Sequence, residues 1–271
     1  MTEISDTFAD LRARNQSALI PYLTVGDPHL NKTPRLVEAL IDGGADIVEL
    51  GIPFSDPIAD GPIIQNAVSR ALSSGGRPLD ALDVANTIRE KHDFPLVLMT
   101  YYNPVFRLGL SKFLSLARKS RISGIIVPDL PVEESQVFKE ECIAHNIDTI
   151  FLASPSTTLE RLQRIIAQTS GYLYLISTYG VTGIRSKLDE SVLSLVRRYD
   201  ELVAGSVPLA VGFGISKPLH VEQIVKAGAD GAIVGSAFVK IIAENLTNTA
   251  RAAQKLRNLT KKLKKATRLA K

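Results

Sequence analysis

Cysteine is nearly absent from this 271-residue chain, and tryptophan is absent altogether. Because Cys142 is the single cysteine, the chain can form no internal disulfide. No run of apolar residues is long enough to span a bilayer, and no pattern is typical of a secretory signal peptide. These features predict a cytoplasmic protein without a membrane segment.

Histidine is also scarce, with four residues in the chain. They show neither an HExxH motif nor a paired spacing of the kind that metal ligands need. We therefore expect histidines on the surface or in loops, and no metal site. The four residues are His29, His92, His145 and His220.

Acidic and aromatic side chains are missing from the C-terminal segment, residues 245–271, which holds nine basic residues. The remaining residues carry 23 basic against 28 acidic side chains, so the body is mildly acidic. Within the segment, Leu256, Leu259, Leu263, Ala266 and Ala270 recur at helical spacing. This pattern predicts an amphipathic helix over about 245–271, packed on the body with its basic face in water. The lack of aromatic residues disfavours contact with nucleic acid or a membrane.

Short apolar runs without clean alternation recur eight times along the chain. Strands that are hydrophobic on both faces are typical of a parallel sheet covered by helices. The predicted strands are Ala18–Thr24, Asp46–Gly51, Pro95–Tyr101, Ser123–Asp129, Asp148–Ser154, Tyr172–Ser177, Val207–Gly212 and Asp230–Gly235.

Helical stretches with a 3.6-residue period lie between these runs. They are Pro34–Ile41, Ala81–Lys91, Glu133–Ala144, Leu159–Ala167 and Lys217–Lys226. Eight strand-then-helix units without a linker predict a single (β/α)8 TIM barrel over residues 1–271. An open doubly wound sheet is the weaker alternative, because no glycine fingerprint follows the first strand.

Two acids lie near the carboxyl end of the second predicted strand, one at the end of the strand and one in the loop that follows it. Glu49 lies between Val48 and Leu50, so burial should raise its pKa toward the range useful for moving protons near neutral pH. Asp60 ends the proline-rich loop that follows. Two acids facing one pocket can divide acid and base roles. The alternative is structural: Glu49 as a salt-bridged strand end and Asp60 as a helix-start residue.

Glycine-containing turns follow the sixth, seventh and eighth predicted strands, at 179–183, 211–216 and 234–237. In a (β/α)8 barrel, phosphate is commonly held by the loops after the last two strands. Free backbone N–H groups where a helix begins favour an anion. Apolar side chains near the same strand ends would form a slot for an apolar group or simply pack the barrel; they are Tyr22, Met99, Ile126, Tyr174 and Phe213.

Several of these segments together resemble the alpha subunit family of tryptophan synthase. The matching blocks cover nearly the whole body of the chain; they are 21–28, 49–61, 65–67, 99–104, 127–131, 180–183, 212–215 and 235–237. The resemblance implies a TIM barrel that cleaves indole-3-glycerol phosphate to indole and glyceraldehyde-3-phosphate.

The resemblance also implies roles for individual residues. Glu49 would shuttle the proton, and Asp60 would hydrogen-bond the indole N–H. Tyr174 matches a position near the glutamate, and the Thr182 hydroxyl matches one that reaches Asp60 when its loop closes. Gly183, Gly214, Gly235 and Ser236 match the phosphate cradle. Tyr22, Met99, Ile126 and Phe213 would line the indole slot.

The family works with a partner, a beta subunit that carries pyridoxal phosphate, in an alpha2beta2 heterotetramer. The resemblance therefore implies no cofactor in this chain, with Pro53, Phe54 and Asp56 at the partner interface. Two alternatives stay open: a free-standing lyase with the same site, and a catalytically silent phosphate-binding barrel that regulates another protein. The presence of both Glu49 and Asp60 argues against the silent barrel.

Overall fold

A computed structural model describes residues 2–176, 188–212 and 214–268. The described part contains nine parallel strands in a single sheet. They are β1 (Ala18–Thr24), β2 (Val48–Gly51), β3 (Leu96–Met99), β4 (Gly124–Ile126), β5 (Asp148–Ile150), β6 (Leu152–Ala153), β7 (Leu173–Ile176), β8 (Leu209–Gly212) and β9 (Gly231–Val234).

The strand order closes the sheet into a barrel. It runs β5-β4-β3-β2-β1-β9-β8-β7-β6, and a single residue, Phe151, separates the two strands at its ends. The Phe151 carbonyl accepts a hydrogen bond from the Tyr174 amide at 2.9 Å. β5 and β6 are thus one barrel strand interrupted at Phe151, and each of the eight predicted strands contains an observed one. The predicted (β/α)8 barrel is confirmed.

The helices of the described residues surround this barrel. They are α1 (Glu3–Ala13), α2 (Thr33–Ile41), α3 (Pro62–Ser73), α4 (Asp80–Arg89), α5 (Tyr102–Leu108), α6 (Leu110–Lys119), α7 (Gln136–Ala144), α8 (Leu159–Gln168), α9 (Glu190–Val203), α10 (Pro218–Lys226), α11 (Ser236–Ala243) and α12 (Thr249–Ala266). No described helix is long and apolar enough to cross a membrane.

One predicted helix is wrong in detail. The stretch 133–144 is not continuous, because a 3-10 turn, Val132–Glu134, precedes α7. The buried Ser135 separates them, and its hydroxyl donates to the Val132 carbonyl at 2.8 Å. A serine that bonds to nearby backbone competes with a continuous helix, which explains the break.

Helix α1, which the sequence patterns did not predict, closes one end of the barrel. Ile4, Phe8 and Leu11 are buried among the inward-facing side chains of the strands. The Phe8 ring lies 5.9 Å from the ring of Tyr172, at an angle of 55°. Because α1 fills the amino-terminal end of the barrel, the carboxyl ends of the strands remain as the open end, where such barrels hold their chemistry.

Helix α12 lies within the predicted C-terminal helix and packs against α2. Leu256 and Leu263 are fully buried, as their spacing predicted, and Ala270 lies outside the described residues. We expected the basic face to lie in water, and for Lys264 this is wrong. Its ammonium group is buried and contacts the Asp46 carboxylate at 2.6 Å and 2.8 Å, because the aliphatic stem follows the apolar stripe into the body.

Candidate active site

The second barrel strand places Glu49 inside the open end of the barrel. Ile47 belongs to the barrel interior, and Glu49 shares its face because successive strand residues alternate in direction. The hydrogen-bonding register sets Tyr22 of β1 directly beside Glu49. The carboxylate is therefore surrounded by the barrel wall and not by solvent.

Glu49 has no accessible surface in the isolated chain. The Tyr172 hydroxyl donates a hydrogen bond of 2.6 Å to its Oε1 atom, and its Oε2 atom has no partner. Burial raises the pKa of Glu49 to about 8, and the Tyr172 hydrogen bond opposes this rise. Glu49 is thus a neutral carboxylic acid at neutral pH, and among the described residues it forms no salt bridge.

The loop between β2 and α3 carries Asp60. Its Oδ2 atom accepts a hydrogen bond of 3.0 Å from the Tyr101 hydroxyl, and its carbonyl accepts one of 2.8 Å from Gln65 Nε2. Burial raises the pKa of Asp60 to about 6, and the Tyr101 hydrogen bond opposes this rise. The N-cap of α3 is Gly61, so Asp60 directly precedes the helix and is not its N-cap.

The two acids differ in their protonation state over a window near neutral pH. Between about pH 6 and about pH 8, Asp60 is mostly ionised and Glu49 is mostly protonated. Glu49 is enclosed completely, whereas Asp60 lies at the edge of the loop and is half-buried. Their environments separate their pKa values, which is the arrangement that divides acid and base roles.

Two tyrosines lie near Glu49, and the resemblance indicated one of them, Tyr174. Tyr172 makes the hydrogen bond, while Tyr174 lies one pleat further along β7 and packs closely on Gly212. The Tyr174 side chain would collide with a Cβ atom at Gly212, so a glycine is required there. Burial raises the pKa of Tyr174, and the nearby charges of Glu49 and Asp60 raise it further.

Sequence reasoning missed Tyr172, although the pattern contained a signal. Residues two apart on a strand share a face, so an inward-facing Tyr174 places Tyr172 inside the barrel as well. The resemblance directed attention to one of the two residues alone.

The proposed phosphate cradle lies partly within the described residues. Gly214 has a φ of +65°, which favours glycine, and a Cβ there would meet nothing within 4 Å. Gly235 is the N-cap of α11 and Ser236 its first residue, without a side-chain cap. The first N–H groups of a helix have no partner inside it, so they are available to an anion. Gly183 lies outside the described residues.

The proposed indole slot lies next to this helix start. Tyr22 packs with Ala67, Val239, Ile64 and Met99 in a small apolar cluster. Ile126 is fully buried in the barrel interior, in a cluster against which Met99 and Tyr174 also pack. Ile64, from the first turn of α3, joins the slot although the sequence analysis did not propose it. Phe213, predicted for the slot, and Thr182, predicted for loop closure onto Asp60, lie outside the described residues.

The proposed partner interface combines buried and exposed residues. Pro53 is buried within the chain, so it shapes the loop and does not form surface. Phe54 is half-buried, with its ring 5.5 Å from that of Tyr101. Asp56 is exposed and accepts a 2.7 Å hydrogen bond from Ser55, and Ile58 is 79% exposed.

Metal-binding clusters are not found among the described residues. The expectation of surface or loop histidines is wrong for His220, which is buried in α10. Its Nδ1 atom lies 3.4 Å from the Ser216 amide.

Comparison with known proteins agrees with this arrangement. A family model described as tryptophan synthase alpha chain matches residues 8–268. The chain is 50% identical to the tryptophan synthase alpha chain of Methanopyrus kandleri over 256 residues, covering 94% of this chain and 91% of that one. It is 42% identical to the alpha chain of Arabidopsis thaliana over 263 residues, covering 97% and 94%.

Solved structures show the same likeness. A tryptophan synthase structure from Mycobacterium tuberculosis has a TM-score of 0.89 at 36% identity and covers 99% of each chain. A mutant alpha subunit of the enzyme from Pyrococcus furiosus has a TM-score of 0.83 at 42% identity, covering 92% of this chain and 98% of that one.

Proposed function

The chain belongs to the tryptophan synthase alpha chain family, and we propose that Glu49 and Asp60 divide the acid-base work of its reaction. The enzyme is a carbon-carbon lyase that cleaves indole-3-glycerol phosphate to indole and glyceraldehyde-3-phosphate. Carbon C3 of the indole must gain a proton before the bond to the glycerol chain breaks. The hydroxyl of that chain must lose one as the aldehyde forms.

Glu49 carries out both proton transfers, one after the other. As a neutral acid it donates its proton to C3, which gives an indolenine ring with a positive charge shared by the ring nitrogen. The resulting carboxylate takes the proton of the adjacent glycerol hydroxyl. The O–H electron pair forms the carbonyl, the C–C bond breaks, and its electron pair neutralises the ring. Glu49 ends protonated again, ready for another turnover.

Asp60 supports the charged intermediate. It is ionised above about pH 6 and accepts a hydrogen bond from the indole N–H. The positive charge that develops on the ring during C3 protonation strengthens this bond. Stabilisation that grows toward the transition state raises the rate, whereas uniform binding does not.

Gly214, Gly235 and Ser236 hold the substrate phosphate in this proposal. The support is the uncapped start of α11, where backbone N–H groups and the helix dipole favour an anion. A Cβ atom added at Gly235 would lie 3.6 Å from the Tyr22 side chain. The phosphate cradle therefore adjoins the apolar slot. Tyr22 and Met99 then contact the indole ring, and Ile126 supports the base of the slot. Gly183, Thr182 and Phe213 keep the roles that the family resemblance implies.

The family implies a beta subunit as partner, and we propose an alpha2beta2 assembly with pyridoxal phosphate in that subunit. Asp56 and the half-buried Phe54 belong to the loop that ends at Asp60, so a protein docked there lies beside the site. Apolar indole could then pass to the partner without entering water. A cytoplasmic location fits a phosphorylated substrate, which does not cross a bilayer unaided.

The observation that carries this proposal is the environment of Glu49: complete burial, a single hydrogen-bond donor and a pKa near neutrality. Glu49→Gln preserves the shape of the side chain but cannot relay a proton. We expect indole release to fall by about 10²–10⁴-fold, while calorimetry shows retained binding of indole-3-glycerol phosphate. Glu160→Gln, at an exposed ion pair of α8, is the matched control and should keep normal turnover. Near-normal turnover in Glu49→Gln would contradict the assignment.

A further inference from the structure

Tyr101 contacts the loop that carries Asp60. Its hydroxyl accepts a hydrogen bond from the Ala59 amide at 3.0 Å and donates one to Asp60 Oδ2 at 3.0 Å. Its ring packs at 5.5 Å against the ring of Phe54, near the start of the same loop. One side chain therefore contacts both ends of the segment 54–60.

The position of Tyr101 is itself well determined. It directly follows the β3 region and is 3% exposed. The amide of the next residue, Tyr102, donates a 2.9 Å hydrogen bond to Asp129 Oδ1 after β4. The Ile52 amide also donates to the Met99 carbonyl at 2.9 Å, which ties the entry of the loop to the same strand. These contacts hold Tyr101 in place on the barrel wall, and the loop of residues 54–60 packs against it.

The direction of the two hydrogen bonds has an electrostatic consequence. Because the Tyr101 oxygen already accepts from the Ala59 amide, its own proton points to Asp60. A donor to a carboxylate favours the ionised form. The Tyr101 bond accordingly lowers the pKa of Asp60, against the rise that burial causes.

Two tyrosines and one glutamate near Asp60 titrate well away from pH 6. Tyr22 and Tyr174 both face Asp60, and burial raises the pKa of each, so both are neutral. Glu49 titrates near 8, well above Asp60. Asp129 faces Tyr101 from the next loop. The substrate phosphate also has a second pKa of about 6, so a difference near pH 6 between two variants acting on the same substrate is what reports Asp60.

We propose that Tyr101 is a positioning residue that orients the Asp60 carboxylate through its hydroxyl, and that its ring couples Phe54 on the loop surface to this carboxylate. The inference rests on the proposed role of Asp60 in the lyase reaction. It adds a physical route from the loop to the site: displacement of the loop at Phe54 moves Asp60 relative to the donor that Tyr101 holds in place on the barrel wall.

The test is the pH profile of kcat/KM for Tyr101→Phe, which keeps the ring and removes the hydroxyl. We expect the acid limb to move upward by about one pH unit, so that activity falls about fivefold at pH 6 and little at pH 8. Tyr199→Phe is the matched control. It also removes a buried hydroxyl, one that donates to the Ser154 carbonyl at 2.7 Å on another part of the barrel. Its acid limb should stay in place.

A second measurement does not depend on turnover. Carbon NMR titration of protein labelled at aspartate, with Asp60→Asn to assign the signal, follows the ionisation of Asp60 directly. An upward shift in Tyr101→Phe supports the proposal. An unchanged Asp60 titration, or an equal loss of activity at every pH, overturns it and leaves Tyr101 a structural role. Normal turnover in Asp60→Asn would instead refute the proposed role of Asp60, whatever the titration shows.

Discussion

Tyr172 provides the sharpest prediction, because it acts on one limb of the pH profile. Its hydroxyl donates a 2.6 Å hydrogen bond to Glu49 Oε1 inside the barrel. Tyr172→Phe removes that donor and leaves the ring, with its contact to Phe8 at 5.9 Å, in place. The change therefore alters the charge balance at Glu49 with little change in packing.

The size of the expected pKa shift depends on how strongly Tyr172 binds the ionised and the protonated forms of Glu49. A hydrogen bond to a charged group contributes about 1.5–3 kcal/mol, and one pKa unit equals about 1.4 kcal/mol. The protonated form of Glu49 also accepts a bond from Tyr172, so part of this energy cancels, and we expect a shift of about one unit. The sign is upward, because the lost donor favoured the carboxylate. The pKa of Glu49 should rise from about 8 to about 9.

The assay is indole release by the isolated chain, measured as kcat/KM against pH. The active form holds a protonated Glu49 and an ionised Asp60, so the parent profile should be bell-shaped with limbs near 6 and 8. Tyr172→Phe should move the alkaline limb to higher pH and leave the acid limb unchanged. An alkaline limb that stays or moves to lower pH, or a shift of the acid limb alone, would refute the reasoning.

Three further predictions concern stability, the anion site and the partner. Lys264→Met leaves the largely buried Asp46 carboxylate without its cation, so urea unfolding at pH 8 should show a loss of about 3–5 kcal/mol. Burial raises the pKa of Asp46, so the loss should shrink as the pH is lowered and Asp46 takes up a proton; an equal effect of the exposed Lys261→Met would contradict the role of the pair. Gly235→Asp adds a negative charge beside the proposed phosphate and should weaken binding of indole-3-glycerol phosphate about tenfold or more, while binding of free indole stays normal. In calorimetry the control Gly235→Ala, whose added Cβ makes ordinary contacts, should bind both ligands normally. Equal losses for both ligands in Gly235→Asp would place the phosphate elsewhere. Asp56→Arg reverses a charge at the exposed loop and should reduce activation by a beta subunit more than it reduces basal turnover. The measurement is the cleavage rate as a function of added beta subunit. Unchanged activation in the variant would remove this loop from the interface, and no activation of the parent chain would favour a free-standing lyase.

The features of the site that depend on neighbouring residues in the sequence were predictable. An acid enclosed by apolar strand residues must be buried, so the raised pKa of Glu49 followed from Ile47, Val48 and Leu50 alone. The identity of its hydrogen-bond donor did not follow, because Tyr172 is 123 residues away along the chain. Asp60 and Tyr101 are 41 residues apart, and no local pattern pairs them.

The barrel itself was determined by the sequence through patterns within a few residues. Runs that are apolar on both faces can be stable only in a covered parallel sheet, and their alternation with amphipathic helices leaves few other arrangements. Loops with glycine at strand ends follow from local backbone geometry. These features need no knowledge of which residues meet across the molecule.

Contacts between distant segments were decided only by the tertiary structure. Lys264 looked like one more surface cation of α12, yet its position over Asp46, 218 residues earlier, buries it. Helix α1 carries Ile4, Phe8 and Leu11 at helical spacing, but this local pattern does not show that the three side chains fill the end of the barrel. Burial depends on what lies opposite a side chain in space, and that is set by the closure of the whole barrel and not by neighbouring residues.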